Sequence, residues 1–143
     1  MKIVTASLKH KFQTTIYMDK HELSSDEPES AGGDDSGPNP YDLLLASLGA
    51  CTAMTVQWYA ERKKLDITRC EVTLKYDRIH AKDCRECEQT DPLKRIEHVS
   101  REVEIGGDFS AEQRERLRTI PGKCPVSRTL KNGLVIEDDV KFV

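Results

Sequence analysis

The chain has 143 residues, with 22 Lys and Arg against 25 Asp and Glu and a formal net charge of −3. A chain of this length buries roughly two thirds of the surface its unfolded form exposes, enough for a single domain over residues 1–143 without disulfide staples. The nearly balanced, slightly acidic charge sets up no field that would draw in nucleic acid or an anionic membrane, which excludes polyanion binding as a leading function.

Met1-Lys2-Ile3-Val4-Thr5 lacks the charged-then-apolar layout of a secretory signal. The expected location is cytoplasmic, where Cys51, Cys70, Cys84, Cys87 and Cys124 are kept as reduced thiols. Five is also an odd number, which argues against a fixed disulfide framework and for catalytic, redox or metal roles.

Residues 3–18 alternate, with Phe12, Thr14, Ile16 and Met18 on one side and Gln13, Thr15 and Tyr17 on the other. This predicts two strands, with a third near 20–25. Residues 26–40 are rich in turn formers and acids and predict a loop. Asn39 as N-cap, Pro40 at the first helical position and Asp42 in the first turn predict a helix from there to Lys63. Between Asp42 and Glu61 lie 18 uncharged residues, which touches the lower limit for a membrane span. Ser47, Thr52, Thr55 and Gln57 argue against that reading. Apolar side chains nearly all round predict a helix packed on most sides.

Beyond the helix, Cys70, Val72, Leu74 and Tyr76 alternate with Glu71, Thr73 and Lys75, predicting a strand, and Val99 to Ile105 predicts another. The polar loop between them holds Cys84 and Cys87. Ser110-Ala111-Glu112-Gln113 reads as a capping box for a helix to Ile120, stopped by Pro121-Gly122. A short helix over Pro125 to Leu130, a turn at Asn132-Gly133 and a final strand over 134–142 complete the prediction.

The cysteines are not equivalent. Cys124 follows Lys123 and precedes Pro125 at a helix start, where free N–H groups and positive charge favour a thiolate; the alternative is a packing thiol. Cys51 lies three turns into a helix, too deep for the dipole to lower its pKa, and by context alone reads as packing. Cys70, on the apolar side of a strand, reads as core. Cys84 and Cys87 form a C-x-x-C with His80 and Asp83 nearby. As metal ligands they would need Asp83, His98 or a second subunit to complete four. A redox role and an inert loop stay open beside that. The four histidines, His10, His21, His80 and His98, are scattered and expected to be exposed. No phosphate loop, G-x-S-x-G or H-E-x-x-H occurs, so those hydrolase and metalloprotease templates fail.

Gly32-Gly33-Asp34, then Gly37-Pro38-Asn39-Pro40-Tyr41-Asp42-Leu43-Leu44, then Leu48-Gly49-Ala50-Cys51-Thr52 and finally Cys124-Pro125-Val126 together resemble the OsmC/Ohr family, in an OsmC-like branch. The resemblance implies an α+β, OsmC-like fold in which curved antiparallel sheets wrap two central helices of an intertwined homodimer. It also implies a thiol peroxidase that reduces organic hydroperoxides to alcohols in oxidative-stress defence. Cys51 matches the peroxidatic cysteine, which becomes a sulfenic acid, and Cys124 the resolving one, which closes a Cys51–Cys124 disulfide. An external dithiol restores both thiols, and no cofactor is called for.

Peroxidase members of that family carry a Glu directly after the helix-starting Pro, paired with an Arg of the N-terminal strands. Here Tyr41 stands in the first place, and no Arg precedes Arg62. Asp42 and His10 are the candidate supporting acid and cation, although Asp42 also suits a purely helix-capping role. The alternative function is a non-catalytic OsmC-like protein binding a small apolar ligand, or a metal through the Cys84/Cys87 loop with His80.

Overall fold

A computed structural model describes residues 1–84 and 91–143. It divides into two compact units, 1–46 and 47–143.

The first unit is a three-stranded antiparallel meander of β1 (Thr5–His10), β2 (Gln13–Met18) and β3 (His21–Ser25). The register runs Thr5↔Tyr17 in the first hairpin and Met18↔His21 in the second. Both turns begin with a left-handed residue, Lys11 at φ 48° and Asp19 at φ 53°, the conformation that matches a two-residue loop to the strand twist. The following loop is organised around buried Asp26. Its carboxylate accepts from the N–H groups of Glu27 (2.9 Å), Asp34 (3.2 Å) and Ser36 (3.2 Å) and from the Ser36 hydroxyl (2.8 Å). Gly33 is obligatory there, because a Cβ would lie 1.8 Å from the Glu27 carbonyl oxygen. The buried side chains of this unit are Ser25 and Asp26; no apolar one is among them.

Helix α1 (Pro40–Lys63) crosses from the first unit into the second. Asn39 Oδ1 accepts from the N–H groups of Tyr41 and Asp42, and Asp42 Oδ2 accepts in return from the Asn39 N–H. The helix is capped as predicted. It is long and apolar enough to cross a membrane, with mean hydropathy 1.3 in its most apolar window. Even so, Leu48, Thr52, Val56 and Ala60 form a four-residue stripe packed inside the protein. The expectation of packing on most sides is corrected: this one stripe is buried, whereas Met54 and Trp58 are 57% and 60% exposed. The unit has too few elements to surround a helix that is apolar on every face.

In the second unit β4 (Arg69–His80) and β5 (Arg95–Gly106) form a long hairpin in register from Arg69↔Gly106 to His80↔Arg95. β5 starts at Arg95, earlier than the expected Val99, because pairing with β4 continues through Ile79↔Ile96 to His80↔Arg95. Gly107, at φ +154°, ends the strand where a Cβ would meet the Phe109 ring at 2.3 Å and the Asp66 carbonyl at 2.5 Å. Helix α2 (Ala111–Thr119) carries the predicted capping box, Ser110 Oγ accepting from Gln113 N–H and Gln113 Oε1 from Ser110 N–H. A 3₁₀ turn over Pro121–Lys123 leads into α3 (Pro125–Asn132). Phe109, Leu117, Ile120 and Cys124 join the α1 stripe among the buried residues.

The final strand expected over 134–142 is also corrected. Residues 133–143 form no regular element, and Leu134, Val135, Ile136, Val140 and Phe142 are exposed. A strand exists only through hydrogen bonds to a neighbour, and the segment pairs with none among the described residues.

Candidate functional site

Helix α1 places Cys51 beside its buried stripe. The Cys51 residue is half-buried, whereas its neighbour Thr52 is fully buried. Cys124 is the N-cap residue of α3, with 0% exposure. Its backbone is fixed from both sides, its N–H donating to the Pro121 carbonyl and its carbonyl accepting from the Arg128 N–H. Pro125 supplies a helical φ without presenting an N–H of its own, so the next N–H groups, of Val126 and Ser127, are free to reach the sulfur. The two sulfurs, 73 residues apart in sequence, are both free thiols, and each lies near enough to shift the other's pKa.

The two thiols are shifted in opposite directions. At Cys124, burial disfavours the thiolate, but the nearby Cys51 thiol, Ser127 N–H, Thr52 hydroxyl and Val126 N–H together outweigh it and hold this thiol below its ordinary value. At Cys51 burial raises the pKa, and the hydrogen bond and negative charge of Cys124 raise it further, against the Val126 N–H and the Thr55 hydroxyl. Of the two thiols, Cys124 is therefore the one that ionises first, and Cys51 is the one that holds its proton longer.

Thr52 joins the pair to β5. Its hydroxyl donates to the Leu48 carbonyl at 2.7 Å and accepts from Arg101 Nη1 at 2.9 Å. Arg101 pairs with Leu74 across the hairpin, in the alternation of Val99, Val103 and Ile105. It also lines an open cleft of about 770 Å³ whose walls include apolar Val103, Phe109 and Leu117 and cationic Arg114 and Lys131. Neither Thr52 nor Arg101 was expected at the site. The signal for Arg101 is present in the sequence as a lone cation on the apolar side of an otherwise alternating strand.

The remaining candidates lie elsewhere. The Asp42 carboxylate is engaged in capping α1, and His10 ends β1 in the first unit, exposed. His80 is half-buried rather than exposed, its Nδ1 3.0 Å from the Leu93 carbonyl oxygen, and His98 is half-buried too. Each stands on a long paired strand that partly covers it. Cys84 is disulfide-bonded, and Cys87 lies outside the described residues. Among the described residues no three His, Cys, Asp or Glu side chains converge as a metal site. Cys70 is half-buried, and burial raises its pKa.

The family model described as OsmC-like protein matches residues 33–138. No curated protein matches the chain. Among solved structures, an OsmC-like protein from Mycoplasma pneumoniae superposes with a TM-score of 0.70 at 20% identity, over 92% of this chain and 87% of the other. An organic hydroperoxide resistance protein OsmC from Legionella pneumophila gives 0.64 at 18% identity, over 92% and 89%. An organic hydroperoxide resistance protein from Elizabethkingia anophelis, with thiocyanate bound, gives 0.64 at 19%, over 92% and 88%.

Proposed function

The chain belongs to the OsmC-like family, and from that membership together with the sulfur pair we propose that it is a thiol peroxidase reducing organic hydroperoxides to alcohols. The observation that carries the reading is that the fold brings two free cysteines from α1 and the start of α3 close enough to shift each other's pKa, half-buried Cys51 upward and buried Cys124 downward. The hydroperoxide resistance proteins among its structural relatives support the substrate class.

The pair can run the chemistry as follows. Cys51 passes its proton to the Cys124 thiolate and attacks the distal oxygen of ROOH; the O–O bond breaks, and the departing alkoxide takes the proton from Cys124 to leave as ROH. Cys51 is now a sulfenic acid and Cys124 a thiolate again. Attack of Cys124 on the Cys51 sulfur closes the disulfide and expels hydroxide. An external dithiol then reduces the disulfide by exchange. Sulfur carries both electrons, so the scheme calls on no cofactor.

This reading includes a homodimer of the implied OsmC-like kind in the cytoplasm, with the apolar faces left open in one chain covered by a second copy. The test of the chemistry is a non-reducing peptide map of fully reduced protein after one equivalent of an organic hydroperoxide. A rapid Cys51–Cys124 disulfide is expected, and Cys124→Ser should leave a trappable Cys51 sulfenic acid. If both thiols remain free, the peroxidase reading fails and a ligand-binding protein on the same fold takes its place.

A further inference from the structure

Residues 111–132 carry six Lys and Arg against two Glu, in a chain whose formal net charge is −3. The packing of β5, α2 and α3 gathers part of that excess in one place. Arg101 from β5, Arg114 and Arg118 from α2 and Lys131 from α3 line the same open cleft of about 770 Å³, and no Asp or Glu is among its lining residues. Arg118 is paired with Glu115 at 3.2 Å. Arg101, Arg114 and Lys131 form no ion pair among the described residues. Like charges on one concave surface repel each other, and the walls of a cleft focus their field on the space between them, so an anion entering it is attracted by all three.

Two of the three cations are anchored by the protein itself. Arg101 Nη1 donates to the Thr52 hydroxyl at 2.9 Å, and Arg114 Nε donates to the Phe109 carbonyl at 3.2 Å. Each bond uses one of the five N–H groups of a guanidinium and leaves the others for a ligand. Val103 and Ile105, half-buried on the same face of β5 as Arg101, supply an apolar wall. A cleft of this size suits a small organic molecule. Three cations call for more than a single negative charge. A monocarboxylate brings one, whereas a phosphate monoester brings about 1.5 to 2 at neutral pH with three acceptor oxygens, and guanidinium forks match those oxygens in pairs. We propose that this cleft binds a small organic phosphate monoester, its phosphate held by Arg101, Arg114 and Lys131 and its apolar body lying against Val103 and Ile105.

The test is calorimetric titration of the full, reduced chain at low ionic strength with phenyl phosphate, benzoate and citrate. Phenyl phosphate should saturate one site, and benzoate, the same ring with a single charge, should bind about tenfold more weakly. Arg114 and Lys131 are exposed and can be replaced without opening the core. Arg114→Gln and Lys131→Gln should each weaken phenyl phosphate about tenfold, the loss of one charge-assisted contact. Arg128→Gln removes an exposed cation of α3 that does not line the cleft, and should leave the affinity as it was. Three results overturn the proposal: no saturable binding of phenyl phosphate, an equal loss in Arg128→Gln, which would mean a general attraction to positive surface, or tighter binding of citrate, which would make the ligand a polycarboxylate. Binding that appears only once residues 134–143 are deleted overturns it as well, because Glu137, Asp138 and Asp139 of that segment would then be what fills the cleft. None of these readouts involves peroxide or the cysteines, so failure of the peroxidase reading leaves the site standing, and loss of the site leaves the peroxidase reading untouched.

Discussion

Asp26 is a buried carboxylate that no cation touches among the described residues, and its charge is balanced instead by three N–H groups and a hydroxyl. The Ser36 hydroxyl is the largest influence, and with the backbone donors it outweighs burial and holds the carboxyl below its ordinary value of 3.8. Folding lowers this pKa, so the ionised group stabilises the fold in full above that ordinary value and the contribution is lost as pH falls through the lower folded-state value. Asp26→Asn cannot accept all four donors, and its own NH₂ would face N–H groups. Its thermal midpoint at neutral pH should therefore be lower than that of the parent. Below pH 4 the gap between the two should close, because the parent loses there what the variant never had. Parallel acid profiles of the two proteins would show that Asp26 does not organise the loop.

At the level of elements, what could be read from the sequence is what depends on near neighbours. The ends of α1 and α2 are written in Asn39, Asp42, Ser110 and Gln113, each bonded within three residues of its partner. The first three strands follow from their alternation. The place of Cys124 at a helix start follows from the Pro that opens that helix. The Cys51 contact could not be derived from its own helix, because what acts on it arrives from α3, and only the family resemblance pointed there. Arg101 was missed because a strand pattern records which side a residue faces and not what stands opposite. Asp42 is where the two kinds of reading separate. Its bond to the Asn39 N–H gives it a complete structural role, so Asp42→Asn should leave peroxide-driven disulfide formation within about twofold of the parent, well short of the 10²–10⁴ typical of a lost acid–base group. Asn39→Ala, which removes the cap itself, should cost about 1 kcal/mol, read as a lower urea midpoint at an unchanged slope. A large loss of rate in Asp42→Asn would return that carboxylate to the reacting groups.

On the scale of the whole molecule, the difficulty is the apolar surface that one chain leaves open. Residues 1–46 bury no apolar side chain, while Ile3, Val4, Leu8 and Phe12 are exposed, and a three-stranded sheet without a covered face has little to hold it together. Helix α1 leaves Met54 and Trp58 outward, and Val135, Ile136, Val140 and Phe142 line a segment with no strand to pair with. Exposed apolar groups on this scale mark surfaces that another chain covers. A second copy is the partner the OsmC-like reading implies. Trp58, the single tryptophan, reports on it directly. Light scattering should give twice the 16.2 kDa of one chain, with tryptophan emission to the blue of that of water-exposed indole. Trp58→Lys places a charge on this face and should produce monomer or loss of soluble protein. Deleting residues 134–143 should do the same if that segment supplies a strand to the partner, while leaving the capped helices with nothing lost from their own ends. A monomer at micromolar concentration with the red emission of a solvated indole would mean that these faces are open in solution, and that the cysteine pair must work, if it works, within a single chain.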